Sequence, residues 1–353
     1  MPTSAQIQHR GARRRPVVLL TLLALAGAAC TASLGAGLAR PSASSTSDGA
    51  YGWPVKPFDE PHPVRGVFAD PRTSFDGAPT PAGLRGPGTF AFHQGVDISA
   101  PDGTAVYPVA SGVAHLRSAE TVVVTSEHGV AFEYWHIVPS VREGQRVTAR
   151  ETVLGRIRAG GYEHVHLTEL RNGRAVNPLA RGHLTPYADS TRPEVDAASY
   201  TDARTGRPLL PEFLRGRAAL AVTASDRTSM PVPGRWNGLP VAPARITWHI
   251  ERAKDGAVVV PEREAFDARE TLPGSGLWSR YARGTRQNMA NFAGHKMWRQ
   301  PGVYLFRLTD SFDTTRLRDD IYVLVATASD VRGNAGTGSF VFTIHNKPGF
   351  FRR

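Results

Sequence analysis

Cysteine is almost absent from this 353-residue chain, and its position decides what the absence excludes. The single cysteine is Cys30, close to the N-terminus. The rest of the chain therefore has no internal disulfide, no thiol nucleophile and no cysteine ligand for a metal. Any metal ion in the body of the protein must be held by histidine, aspartate or glutamate.

Charged residues are absent from residues 16–39. The apolar run in this segment follows an arginine cluster, a pattern typical of a signal peptide, and we interpret residues 1–39 as one. The uncharged segment is also long enough to remain as a membrane anchor, and lipidation at Cys30 is a third alternative. All three alternatives predict export to the extracellular space, the cell wall or the periplasm.

Nucleic-acid-binding features are also lacking. The formal net charge is +11, but residues 1–40 contain five arginines and no acidic residue, which leaves +6 for the rest of the chain. We see no arginine-rich helix and no aromatic–basic motif, so we expect no nucleic-acid partner. A mildly basic body suits an anionic partner such as a cell wall. Contact with a membrane is expected only through the N-terminal segment.

Helical periodicity is scarce, and short apolar stretches separated by turn residues dominate the chain. Residues 40–64 are rich in Pro, Ser, Asp and Gly, a composition that predicts a linker. A compact antiparallel sheet domain is predicted over residues 65–183. Regularly spaced strands over residues 192–347 predict a β-sandwich of immunoglobulin or fibronectin type. The predicted fold class is therefore all-β, with two domains.

Two echoing segments of the predicted sandwich, residues 221–226 and 325–330, each end in an aspartate. Each is interpreted as a strand running into a turn, where Asp226 or Asp330 bonds nearby amides. A calcium site is the alternative, although the sequence shows no dense cluster of oxygen ligands there. Trp248 is predicted to lie in the core of this domain.

Two short histidine-bearing stretches carry the candidate chemistry. The first contains His93, Gly95 and Asp97, and the second contains His164 and His166. In extended chain, side chains alternate between faces, so the two potential ligands of each stretch share a face. Gly95 places no side chain between His93 and Asp97. Three protein ligands of a zinc site can be drawn from this set, leaving a fourth position for water.

Either pair of ligands alone is a weak signal, because a buried histidine is more often satisfied by hydrogen bonds than by a metal. A further histidine, His136, belongs to the same predicted sheet, and the combination is more informative than either pair. The chain has no His-Glu-x-x-His motif, so the glutamate base of the helical zinc proteases is not available from that motif.

The order of the motifs over residues 90–180 resembles that of the lysostaphin-type zinc metallopeptidases, which cut peptidoglycan peptides. The motifs that carry the resemblance are Phe92-His-x-Gly-x-Asp97, Gly103-Thr-x-Val-x-x-Val-Ala-Ser-Gly-Val113, Tyr134-Trp-His136, Gly144-x-x-Val147 with Leu154-Gly155, His164-x-His166 and Asn172-Gly-x-x-Val-Asn-Pro178.

The resemblance implies that His93, Asp97 and His166 bind Zn²⁺. It also implies that His136 and His164 act on the water and the developing oxyanion without binding the metal. The implied function is a zinc metalloendopeptidase that hydrolyses peptidoglycan stems or cross-bridges, in remodelling or lysis of the cell wall. The alternative is a catalytically weak or inactive relative that binds the wall or regulates another wall hydrolase. The sandwich would then be a spacer, or a module for a cell-wall or protein partner.

The chain departs from the family pattern at Thr168, where the family usually has glutamate. A carboxylate on the ligand face is thereby replaced by a hydroxyl. Glu169 points to the opposite face of an extended strand and cannot simply take its place. We expect this difference to affect substrate and rate rather than metal binding.

Overall fold

The structure is a computed structural model that describes residues 49–75, 88–274, 276–288 and 301–347. Strands form nearly all of the regular structure, which confirms the predicted all-β fold class. The predicted signal or anchor segment lies outside the described residues. Within the described part of the chain, no helix is long and apolar enough to cross a membrane.

The first region of the chain is built from short strands that pair antiparallel. In chain order they are β1 (Val64–Gly66), β2 (Pro71–Phe75), β3 (Gly88–Phe92), β4 (Val96–Ser99), β5 (Ala105–Val106), β6 (Gly112–Ser118), β7 (Thr121–Ser126), β8 (Ala131–Trp135), β9 (Ile137–Pro139), β10 (Arg146–Val147), β11 (Gly155–Ile157), β12 (His164–Arg171) and β13 (Arg174–Val176). An eight-stranded sheet has the order β1-β4-β12-β8-β7-β6-β10, with β13 paired to β12. Strands β5, β11 and β9 form a smaller sheet, and β2 pairs with β3.

The alternation of side chains along β12 separates the core from the candidate site. Val165 and Leu167 are fully buried in the hydrophobic core of the first region. His164 and His166 therefore face the other side of the sheet, as the period of two predicts. A shift of one residue in register would exchange the two sets, so burial of the apolar pair fixes which face carries the histidines.

The prediction of a linker over residues 40–64 is wrong for the part that the structure describes, residues 49–64, because side chains of this part lie in the core. Tyr51, Trp53 and Val55 are buried in the hydrophobic cluster of the first region. The hydroxyl of Tyr51 donates a hydrogen bond of 2.6 Å to Glu169 on the face of β12 away from the histidines. A few large apolar side chains, each worth ~1.5–3 kcal/mol on burial, outweigh the Pro-, Ser- and Gly-rich composition around them.

The second region, residues 194–344, contains two antiparallel sheets around one core. Its elements are β14 (Glu194–Asp202), β15 (Arg217–Ser225), β16 (Arg245–Arg252), β17 (Val258–Asp267), the short helix α1 (Leu277–Arg280), β18 (Leu305–Asp313), β19 (Ile321–Ser329) and β20 (Ala335–Thr343). The sheets have the orders β14-β15-β18 and β17-β16-β19-β20. Trp248 is 1% exposed in their shared core, as predicted. The immunoglobulin or fibronectin type of this region stays a prediction.

The two regions belong to one compact unit and share contacts. Phe68 and Ala69, which precede β2, pack into the core of the second region. Asp70 accepts a hydrogen bond of 2.8 Å from the amide of Ala242, and Tyr281 donates one of 3.1 Å to the carbonyl of Ala69. The second region therefore lies directly against the segment that leads into β2. The boundary expected between residues 183 and 192 stays a prediction.

Asp226 and Asp330 follow β15 and β19 and bond nearby amides, as predicted. Asp226 accepts from the amide of Arg227 and Asp330 accepts from that of Asn334, both at 2.8 Å. Asp189 joins them, so that the three carboxylates offer oxygens within 4.8 Å of one another. Burial, together with the neighbouring acids, raises the pKa of Asp226 to about 8. No local sequence pattern indicated that these two turns meet.

Candidate metal and catalytic centre

A cleft of about 470 Å³ lies over β4, β12 and β8, which are neighbours in the large sheet. His166 is opposite Asp97 on one side and opposite Trp135 on the other. The register therefore brings residues from three strands to one place. The cleft is lined by all five residues that the sequence singles out: His93, Asp97, His136, His164 and His166.

Three of these side chains converge on one point. Nε2 of His93 lies 2.7 Å from Nδ1 of His166. Oδ1 of Asp97 lies 3.1 Å from each of these nitrogens. Such separations are short enough for all three atoms to reach one ion at the ~2.0–2.2 Å of zinc–nitrogen and zinc–oxygen bonds.

The outer nitrogens of both rings have hydrogen-bond partners. Nδ1 of His93 lies 2.8 Å from the carbonyl oxygen of Val67, which can only accept, so this nitrogen carries the proton. Nε2 of His166 lies 2.8 Å from the hydroxyl of Thr168, which can accept from it or donate to it. When Nε2 donates, the two inner nitrogens present lone pairs toward each other and toward Asp97. A cation relieves this repulsion, and a His-Asp-His donor set suits zinc.

Burial and neighbouring charges keep His93 and Asp97 in the protonation states that bind a metal. Burial is the main cause that lowers the pKa of His93 to about 4, so the ring is neutral at pH 7. Burial would raise the pKa of Asp97, but its interactions with His93 and Arg72 outweigh burial and hold this pKa well below its usual value. Both residues are therefore deprotonated where a metal needs them to be.

Arg72 holds the second oxygen of Asp97. Its Nη2 donates to Oδ2 at 2.6 Å, which leaves Oδ1 toward the two histidines. Gly66 makes room for this pair, because a Cβ at that position would lie 2.6 Å from Oδ2 of Asp97. Sequence analysis identified neither residue, since no local pattern relates them to the histidines.

The prediction that His93 and Asp97 share one extended strand is wrong. Strand β4 begins at Val96, and His93 lies before it. Its backbone instead bonds the segment before β2, with the amide of His93 donating to the carbonyl of Asp70 at 2.8 Å. Gly95 is required for a different reason from the expected one: a Cβ there would lie 2.2 Å from the carbonyl oxygen of Leu167.

His164 and His136 lie beside the three converging atoms. Nε2 of His164 is 3.6 Å from Oδ1 of Asp97. The ring centroids of His136 and His164 are 4.6 Å apart. Burial is the main cause that lowers the pKa of His164, to about 3, and it lowers the pKa of His136 as well. His136 has a φ of 65°, in the left-handed region that non-glycine residues rarely adopt. Both rings are neutral at pH 7.

Thr168 occupies the position where the family pattern has a carboxylate, and Glu133 lies next to it. The hydroxyl of Thr168 lies 2.8 Å from Nε2 of His166, so His166 still has a polar partner. Glu133 is directly opposite Thr168 on β8 and is buried at the cleft wall. It accepts from Nε1 of Trp135 at 3.0 Å and pairs with Arg117. A carboxylate therefore lies on the neighbouring strand, which the sequence did not indicate.

The second region supplies part of the cleft wall. Trp236, Asn288 and Tyr304 line the cleft together with the residues of the first region. The ring of Trp236 lies 4.1 Å from the guanidinium of Arg65, which also lines the cleft. Sequence analysis missed all four residues, because the contacts join parts of the chain that are far apart.

Comparison with known proteins identifies the first region. Residues 91–178 match the model of Peptidase family M23. The catalytic domain of the antimicrobial peptidase lysostaphin from Staphylococcus simulans aligns at 22% identity over 31% of this chain and 90% of its own, with a TM-score of 0.23. A mutant catalytic domain of the prophage-encoded M23 protein EnpA from Enterococcus faecalis aligns at 23% identity over 31% and 88%, also with a TM-score of 0.23.

The M23 metalloprotease pseudoalterin, from the deep sea, is similar at 20% identity over 47% of this chain and 95% of its own, with a TM-score of 0.24. No curated protein matches the chain significantly. The matched residues 91–178 include all five predicted site residues. Residues 91–178 therefore match Peptidase family M23, which confirms the resemblance of this part of the chain to the lysostaphin-type metallopeptidases.

Proposed function

We propose that this protein is an exported zinc metalloendopeptidase that hydrolyses peptide bonds in the stems or cross-bridges of peptidoglycan. The observation that carries the proposal is the convergence of three potential ligand atoms, from His93, Asp97 and His166, beside two neutral histidines in one cleft. The M23 match supports a peptidase that acts on peptidoglycan.

The proposed metal site takes Zn²⁺ through Nε2 of His93, Oδ1 of Asp97 and Nδ1 of His166. When bound, the ion supplies a Lewis acid for the scissile carbonyl and lowers the pKa of water toward ~7. Arg72 keeps the Asp97 carboxylate in place through its second oxygen. Val67 accepts from the outer N–H of His93, and the hydroxyl of Thr168 lies 2.8 Å from the outer nitrogen of His166, so both rings are held in place.

His164 has contacts that suit transfer of a proton. Its Nδ1 lies 2.6 Å from the carbonyl of Tyr162 and 2.6 Å from Nη2 of Arg65. The two contacts are alternatives: Nδ1 either accepts from Arg65, which can only donate, or carries a proton and donates to Tyr162. In the second state the contact with Arg65 opens, and Nε2 is free to take a proton from the attacking water. That proton then passes to the nitrogen of the leaving amine as the C–N bond breaks. His136, next to it, is placed to donate to the developing oxyanion.

Export and the wall location rest on the sequence. The arginine cluster and apolar run of residues 1–39 support a signal peptide, with retention as an anchor through residues 16–39 as the alternative. The net charge of the remaining chain supports an anionic environment such as a cell wall. The second region would bind cell wall or a protein partner, or position the peptidase domain.

The second candidate is a weak or inactive relative that binds the wall or regulates another hydrolase. The observation that favours it is Thr168, which stands where the family pattern has glutamate. All five histidine and aspartate positions are nevertheless filled, and they lie together in the cleft. This favours the enzyme.

One experiment separates the two candidates. The purified body of the protein, without residues 1–48, is analysed for metal and then incubated with several types of peptidoglycan. New peptide termini, detected by mass spectrometry, together with stoichiometric zinc, would support the enzyme. Stoichiometric zinc without digestion of any wall type would support the binding relative.

A further inference from the structure

Arg65, on β1, differs from its neighbouring arginines, Arg72 and Arg235. Arg72 pairs with Asp97 at 2.6 Å, and Arg235 lies 3.3 Å from a carboxylate oxygen of Glu163. Within the part of the chain that the structure describes, no carboxylate lies within salt-bridge distance of Arg65, although it lines the cleft beside the catalytic residues. Its positive charge is therefore not neutralised by a direct partner.

Two contacts hold the Arg65 side chain in place. The ring of Trp236 packs over the guanidinium at 4.1 Å, and Nη2 reaches Nδ1 of His164 at 2.6 Å. Among the described residues, Nε and Nη1 have no hydrogen-bond partner and are buried. Burial lowers the pKa of Arg65 to about 10, which leaves it charged at neutral pH. The result is a fixed, partly desolvated cation with unused donors.

Such a cation attracts an anion strongly, because the charge is screened less than in water. Planar carboxylates match the guanidinium best, and charge-assisted hydrogen bonds are the stronger ones. Nη2 also has a second N–H that His164 does not use. The distance to His164 places a group bound by Arg65 next to the bond under attack.

We infer that Arg65, held by Trp236 of the second region, binds a carboxylate of the peptide substrate close to the scissile bond. This inference rests on the proposed function and adds the substrate class: a peptide with an acidic group next to the cleaved bond. It also gives the second region a part in the site, since Trp236 covers one face of the guanidinium.

The test uses two synthetic stem peptides that differ only in one group, a free carboxylate or a carboxamide, on the residue next to the cleaved bond. We expect the zinc-loaded protein to cleave the acid at least ~10-fold better than the amide, judged by kcat/KM, the usual scale for a charged hydrogen bond. Arg65→Met should bring the ratio close to 1, and Arg65→Lys should keep part of it. Arg263→Met is the matched control, because Arg263 lies over Trp248 at 5.7 Å, away from the cleft.

Two results would overturn the inference. One is equal cleavage of the acid and the amide by the unmodified protein. The other is an Arg65→Met variant that is slowed equally on both peptides, since Arg65 would then act only on His164. If neither peptide is cleaved, calorimetry compares the binding of the acid and the amide instead. Absence of cleavage contradicts the proposed function. Equal affinity for the acid and the amide contradicts the role of Arg65. Zinc content and circular dichroism check that each variant is folded.

Discussion

Nε2 of His93 and Nδ1 of His166 face each other at 2.7 Å, and the outer nitrogen of each ring has a hydrogen-bond partner outside the cluster. In the tautomer in which both outer nitrogens donate, two lone pairs face each other beside the Asp97 carboxylate, which is unfavourable without a cation. That tautomer therefore leaves both inner nitrogens ready for a metal.

Replacing a ligand should remove the metal. His166→Ala leaves two of the three protein ligands, too few to hold zinc tightly, so we expect loss of both zinc and peptidase activity. Elemental analysis after dialysis measures the first and peptide release from peptidoglycan the second. His249→Ala is the control, because His249 bonds Glu251 in the second region and should change neither. Full zinc content in His166→Ala would rule out its role as a ligand.

Replacing either neighbouring histidine should have a different effect. His136→Ala and His164→Ala should keep zinc at the level of the unmodified protein while slowing hydrolysis by ~100-fold or more, the scale for loss of a positioned acid–base group. Zinc content and kcat are measured on the same preparations. Loss of the metal in either variant would mean that the residue is a ligand.

Thr168 should contribute to metal affinity through His166. Thr168→Val keeps the shape of the side chain but removes the acceptor at 2.8 Å, and we expect zinc affinity to fall ~10- to 100-fold. Thr168→Ser keeps the hydroxyl and should retain most of the affinity. Competition with a chromophoric chelator measures both. Equal affinity in Thr168→Val would show that the hydroxyl has no such role.

Asp226 should make stability depend on pH. Its pKa is about 8 in the folded protein, above the ~3.9 of an unfolded chain. Its stabilising contribution is therefore fully present below pH ~4 and is lost as the pH rises toward about 8. Asp226→Asn cannot ionise, so its Tm should exceed that of the unmodified protein at pH 9, and the difference should vanish near pH 4.

Thermal unfolding in the presence of a chelator tests this, since a cation bound to the three carboxylates would offset their repulsion. The same Tm difference at pH 4 and pH 9 would contradict the assignment. Glu212→Gln, in an exposed 3-10 helix of the second region (Pro211–Phe213), is the control and should leave the pH dependence unchanged.

Sequence periodicity predicted the parts of the site that depend on single strands. The alternation in β12 placed His164 and His166 on one face because Val165 and Leu167 must enter the core. The all-β class followed from short apolar stretches between turns. In contrast, the strand expected at His93 is absent, since its backbone bonds the segment before β2 instead of continuing β4.

Other parts of the site depend on contacts between distant segments, and no local pattern reports these. Arg65 and Arg72 belong to no motif in the sequence, yet Arg65 contacts His164 and Arg72 contacts Asp97. Trp236 arrives from the second region, far along the chain. Composition also gave a wrong prediction at Trp53. The surrounding residues are polar and rich in proline, which predicts a linker, but the Trp53 side chain is fully buried in the core.

Anomalous diffraction at the zinc edge, from crystals grown with zinc, tests the central claim most directly. The account predicts one peak within ~2.0–2.2 Å of Nε2 of His93, Oδ1 of Asp97 and Nδ1 of His166, with His136 and His164 beyond bonding distance. A peak bonded to His136 or His164, or no peak at the three converging atoms, would contradict it.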